Sequence, residues 1–193
     1  MNKIETKNKL LLLPLLLVAI ALNGCATTSG TTQAEKRQSI IKMKDDVLTE
    51  LFKLKPDVRS QLTSSPGYAV FSNVNVNLIF ASFGGGYGLA KDNSNKQTTY
   101  MKMGEVGIGL GVGVKDFRIV IVFHSQEAFD QFREQGWTFG GQADAAAKAS
   151  DKGVAVGAEA IINDATVYQL TKSGLALQAT IKGTKYWKDE KLN

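Results

Sequence analysis

Four glycines at strict two-residue spacing, Gly107, Gly109, Gly111 and Gly113, sit in the stretch EVGIGLGVGV. Loops that cradle phosphates take the form GxGxxG at a strand-to-helix turn, or GxxxxGK[ST]. A spacing of two does something else. It puts all four glycines on one face of an extended strand and Ile108, Leu110 and Val112 on the other. Lys115 and Asp116 then turn the chain into the apolar stretch 117–123, which reads as another strand and not a helix. The chemistry this spacing predicts is close approach: a backbone, an aromatic ring or an acyl chain laid on a surface without side chains. Gly84, Gly85, Gly86 and Gly88, in FGGGYG, offer a second such surface.

Acid–base and metal chemistry have little to work with. His124 is the only histidine and Cys25 the only cysteine, so no zinc set and no internal disulfide can form. His124 stands between Phe123 and Ser125, a helix-capping residue type, and is expected to support that junction. No GxSxG elbow occurs, and the carboxylates are scattered without a paired motif. The expectation is a protein that is not an enzyme and has neither cofactor nor metal.

Cys25 is explained by what precedes it. Lys3, Lys7 and Lys9 form a positive start, and residues 10–22 an apolar run shorter than the ~20 residues a spanning helix needs. That is the pattern of a secretory leader. The following LNGC resembles a bacterial lipobox, in which the thiol receives a diacylglyceryl group and cleavage leaves the cysteine first. The reading is a leader over 1–24 and a lipidated tether over 25–33, small and polar in ATTSGTTQ. By resemblance to lipoprotein sorting in bacteria with two membranes, Ala26 favours the periplasmic face of the outer membrane. Loss of the leader removes three lysines and Glu5, so the formal charge of +5 falls by two. Mild basicity without a Lys/Arg block or RNA-type aromatic motif suits an anionic membrane better than nucleic acid.

The elements that must position these residues follow from periodicity. Over 34–54, Ile40, Val47, Leu51 and Leu54 recur at helical spacing, and Pro56 stops the helix. A second, short helix is expected over 57–62, so that 34–65 is helical. The basic residues Lys36, Arg37, Lys42, Lys44 and Lys53 of the long helix are candidates for contact with lipid headgroups, set against a plain solvated face, since Asp45, Asp46 and Glu50 interrupt them. From residue 66 to 190 the texture is that of strands: 98–103, 106–114, 117–123, a strand in 142–150, and a hairpin of 165–170 with 175–181 about Lys172, Ser173 and Gly174. One helix interrupts them, capped by Ser125, with Ala128, Phe129 and Phe132 on one face and Gly136 beyond its end. Short connections imply mainly antiparallel pairing. The fold class is α+β: a glycine-rich, mainly antiparallel sandwich or barrel-like sheet with an N-terminal amphipathic helix and one inserted helix.

The order of blocks from residue 66 onward resembles the SYLF-domain family, a lipid-binding domain of bacterial lipoproteins and of some eukaryotic membrane-associated actin regulators. The blocks are PGYAVF (66–71), GGGYGLAK (84–91), GIGLGVGVKDFRIVIVF (107–123), WTFGGQADAAAKA (137–149) and YQLTKSGLALQATIKG (168–183). The chain departs from the family at two places. TTYMKMG (98–104) stands where a W-[ST]-x-P block is frequent, and Asp151, Lys152, Gly153 and Val154 stand where GPxG is frequent. No SH3 or FYVE module accompanies the resemblance, and no actin role is carried over. The resemblance implies a module that binds phospholipid. The competing expectation is a structural or protein-interaction envelope lipoprotein whose glycine-rich sheet is only core.

Overall fold

A computed structural model of the chain describes residues 28–78, 81–107, 113–139, 159–162, 164–171, 174–175 and 182–193. Cys25, Gly109, Gly111 and the strand expected within 142–150 lie outside the described residues.

Helix α1 spans Gln33–Leu54. It opens on a capping box: the Thr32 hydroxyl accepts from the Glu35 amide, and the Glu35 carboxylate accepts from the amides of Thr31 and Thr32 at 2.8 and 2.9 Å. Ile40, Val47, Leu48 and Leu51 form its buried stripe. The residue before Pro56 cannot continue the helix, and α2 follows at Val58–Ser64.

The cap makes the helix start sensitive to acid. The hydrogen bonds from the Thr32 amide, then from the Thr31 hydroxyl and amide, pull the Glu35 carboxyl from 4.5 down to about 2. A carboxyl held lower when folded supports the fold above pH 4.5 and loses that support as pH falls towards 2. The protection factors of the Lys36 and Arg37 amides, corrected for intrinsic exchange, are therefore expected to fall across that window, and Glu35→Gln should make them independent of pH there. An unchanged titration in the Gln variant would show that the cap is not its origin.

The strands are β1 (Gly67–Leu78), β2 (Ala81–Asp92), β3 (Thr98–Gly107), β4 (Gly113–Phe123), β5 (Thr138–Phe139), β6 (Glu159–Ile162), β7 (Ala165–Thr171), β8 (Gly174–Leu175) and β9 (Lys182–Lys188), with helix α3 at Gln126–Gln135 between β4 and β5. All described pairings are antiparallel, in the order β5-β9-β3-β2-β1-β4-β7-β6, with β8 beside β7. The fold is thus α+β, as the sequence predicts. The sandwich or barrel-like closure is corrected: the described strands make one open sheet, because helices cover both of its faces and no second sheet is needed.

Alternation along β1 divides the core between those faces. Ala69 and Phe71 join Ile119, Ile121 and Phe123 of β4 under α3, where Phe129, Phe132, Trp137 and Tyr186 pack edge to face. Tyr68 and Val70 join Val120, Val122, Tyr168 and Leu170 under Val47, Leu48 and Leu51 of α1 and Val58 and Leu62 of α2. Helix α1 crosses this second face diagonally. Arg37 near its start donates to the Leu192 carbonyl at 2.8 Å and lies over the Tyr100 ring on β3, whereas Lys55 past its end lies over Tyr168 on β7.

The single strand expected over 106–114 is also corrected. Gly107 ends β3 and Gly113 opens β4, with β2 and β1 between them. The pairs Gly107↔Ser82, Ser82↔Asn77 and Asn77↔Gly113 form one row across the sheet. Period-two spacing fixes which face a residue takes while the chain stays in one strand, but it cannot show that the chain changes strands halfway.

Connectivity further requires that the open sheet be coiled. Leu175 of β8 and Lys182 of β9 stand on opposite sides of the sheet order. Flat strands ~4.8 Å apart would separate them by about 29 Å. The chain between them reaches at most about 25 Å. The two margins must therefore curve towards each other at this end.

Candidate functional site

The described helices stop short of one corner of the sheet. On the face that α1 covers, burial declines along β2 from Leu89, packed on Ile40, through half-buried Tyr87 to Phe83, which is 55% exposed. The same happens along β3 and β9, where Val106 is 59% and Trp187 38% exposed. Register collects these residues into three adjoining rows. Phe83, Val106 and Gly183 form one, Gly85, Gly104, Lys185 and Thr138 the next, and Tyr87, Lys102 and Trp187 the third.

The middle row has no side chains on β2 and β3, and its Gly104, with Gly84 and Gly183, lines a groove of about 400 Å³. Phe83 and Val106 wall one side, and Thr138 and Lys185 line its end on β5 and β9. From the other side the Trp187 indole leans onto the floor: a Cβ built at Gly104 would lie 3.2 Å from it. Scattered exposed apolar residues are ordinary, but three large ones grouped around a depression are the pattern of a surface that meets another apolar body.

Directly behind the floor, the opposite face is polar and closed. The buried Asn73 amide donates to the Glu105 carboxylate at 2.8 Å. It reaches across β2 because the residues beside this pair there are Gly86 and Gly84. Next to it, burial and then the Glu105 charge hold the Tyr186 phenol well above its ordinary range. Gly86 and Gly88 also let Met103 and the Phe71 ring settle on β2. The FGGGYG stretch therefore offers two surfaces: a packed one facing α3 and an open one at Gly85.

The basic residues of α1 do not form one surface. At 100° per residue Arg37 and Lys44 lie beside the buried stripe, whereas Lys42 and Lys53 lie opposite it, exposed. Arg37 is engaged with Leu192 and Tyr100, Lys42 is 2.6 Å from Asp46, and Lys44 is 2.7 Å from Asp45. Lys36 is half-buried. The headgroup surface expected on α1 is thus divided, and two of its five basic residues, Lys42 and Lys44, are ion-paired. Pairing at one and four residues' distance was visible in the sequence; the direction of the buried stripe settles the rest.

His124 takes the place expected for it. Its Nε2 is 2.8 Å from the Thr166 hydroxyl, and its backbone amide donates to the Asp164 carbonyl at 2.9 Å, tying the end of β4 to the start of β7. Among the described residues no cluster of His, Cys, Asp and Glu could hold a metal ion. Phe83, Val106 and Trp187 were not singled out from the sequence. They belong to three strands, and only the register brings them together.

Residues 104–193 match the family described as Ysc84, Las17-binding protein actin regulator. That segment carries Val106, Lys185 and Trp187 of the groove; Phe83 precedes it. The chain is also 34% identical over 167 residues to beta cell expansion factor A of Aeromonas veronii, an alignment covering 83% of this chain and 60% of the relative. The chain thus spans less than two thirds of that relative's length. Ordered blocks, an antiparallel glycine-rich sheet and both comparisons agree in pointing to the Ysc84 (SYLF) domain, whose family match covers residues 104–193.

Proposed function

We propose that this protein is a lipoprotein of the bacterial cell envelope, acylated at Cys25, whose SYLF domain is a non-enzymatic module that contacts phospholipid. The observation that carries the reading is the grouping of Phe83, Val106 and Trp187 on the sheet face left bare beyond α1. The leader, the lipobox-like LNGC and Ala26 support anchoring at the periplasmic face of the outer membrane. The actin role in the family's description is not transferred.

The bare face changes the expected energetics. Each large apolar side chain moved from water into an apolar layer contributes about 1.5–3 kcal/mol. A lysine near an anionic surface contributes about 1 kcal/mol, and salt screens it. Contact through the sheet is therefore mainly apolar and persists at high salt, in contrast to contact through the lysines of α1.

The test is flotation of unacylated protein beginning at Ala26 with phosphatidylglycerol vesicles. Every described residue is retained in that chain. Binding is expected to survive 0.5 M salt, to be lost on joint Phe83→Ser and Val106→Ser replacement, and to change little on joint Lys42→Gln and Lys44→Gln replacement. Absence of binding even at low salt would instead favour a structural or protein-interaction lipoprotein.

A further inference from the structure

We propose that the groove over Gly104 takes up one acyl chain of an anionic phospholipid, with Lys185 meeting the phosphate. The proposal rests on the phospholipid reading above and assigns it a site and a stoichiometry.

A wedge that only dips into a bilayer needs protruding apolar residues and no depression. Here the protruding residues flank a floor made of glycine, and the volume of about 400 Å³ falls within the ~300–1,000 Å³ of ligand clefts. The lining is amphipathic along its length. Phe83 and Val106 are apolar, with the Trp187 ring beside Gly104, while the β5–β9 end carries Thr138 and Lys185; Glu105 also borders the groove, its carboxylate turned to Asn73 on the other face. Lys185 is exposed, and none of the described residues forms an ion pair with it, in contrast to Lys102, which is 3.2 Å from Asp189. A cation with no ion pair among the described residues, at one end of an apolar groove, complements a molecule with a long tail and an anionic head.

Placement agrees. The few residues between Cys25 and Gln33 reach about 25 Å when extended. An acyl anchor on Cys25 would therefore hold the start of α1 close to the bilayer. That start packs on Tyr100, in the same column of β3 that continues through Lys102 to Gly104 and Val106. The tether thus keeps the groove within reach of a leaflet.

Gly104 supplies a clean test, because a Cβ there meets only the Trp187 ring, at 3.2 and 3.4 Å, and not backbone. The chain beginning at Ala26 is titrated with 1-palmitoyl lysophosphatidylglycerol below its critical micelle concentration, followed by native mass spectrometry and by Trp187 emission. One lysolipid per chain and a blue shift that Trp187→Phe removes are expected. Gly104→Leu should weaken binding at least tenfold with the melting temperature retained. Lys185→Glu should weaken it several-fold, with lysophosphatidylcholine binding much less affected. Should Gly104→Leu fail to fold, Val106→Asp, at an exposed position, is the second variant and should weaken binding equally. Vesicle flotation is run on the same samples. Normal flotation without one-to-one lysolipid binding overturns the groove and leaves the phospholipid reading standing; loss of both overturns both. A Trp187 emission that is already blue-shifted, closed to acrylamide and indifferent to lysolipid would mean that another body, such as a second copy, fills the groove, and would also overturn the proposal.

Discussion

Phe132→Ala is expected to lower the stability of the fold by about 3–5 kcal/mol, the range for deleting a fully buried ring. Phe132 is 0% exposed and stands at the centre of the face under α3. Its ring centre lies 6.2 Å from Phe71, 5.1 Å from Phe123, 5.0 Å from Trp137 and 5.6 Å from Tyr186. These partners come from β1, β4, β9 and the segment after α3, so one truncation opens a cavity that no single element can close. Domains are stable by only about 5–15 kcal/mol, and the loss would be a large part of that. Denaturant unfolding followed by far-ultraviolet dichroism measures it. Leu54→Ala is the control: at 47% exposure it should cost within about 0.5 kcal/mol. Equal midpoints for the two variants would mean that α3 does not close the core.

Gly88→Val should be nearly as damaging, by a different route. A Cβ at Gly88 runs into the Val70 carbonyl oxygen and the Phe71 ring on the paired strand β1. A backbone oxygen inside a paired sheet cannot step aside as a side-chain tip can. Overpacking of this sort costs about 1–3 kcal/mol and more where strands must separate. Gly104→Ala makes the comparison, since its Cβ meets only the outer atoms of partly exposed Trp187, and it should unfold near the parent midpoint. The pair distinguishes glycines that admit a core ring from glycines that floor an open groove. Similar losses at both positions would contradict that division.

Much of this was legible in the residues. Ile40, Val47 and Leu51 give the buried stripe of α1, with Leu54 falling outside it at the exposed last turn, and Ala128, Phe129 and Phe132 give that of α3, because helical contacts recur locally. Glycine as a surface for close approach was legible as well: Phe71 does rest on Gly88. Pairing was not. The chain leaves β3 at Gly107 and enters β4 at Gly113 with two strands between, and nothing in GIGLGVGV marks that transfer. For the same reason the groove could not be read from the sequence. Phe83, Val106 and Trp187 are far apart along the chain and become neighbours only through the β2–β3 and β3–β9 registers. The lysines of α1 were conspicuous as a run, but how charges are shared between a helix's inner and outer sides depends on what the helix packs against.

The central claim is that lipid meets the sheet at Trp187 and not α1, and quenching by brominated phospholipid tests it most directly. Trp137 is 7% exposed, packed on Phe123 and Phe132 on the face opposite the groove, and provides an internal reference. With phosphatidylglycerol vesicles brominated along the acyl chain, the emission of Trp187 is expected to be strongly quenched at 0.5 M salt, and Trp187→Phe should abolish the quenching. Vesicle binding at full strength with Trp187 unquenched would contradict the account and return the contact to Lys36, Lys42 and Lys53 on α1.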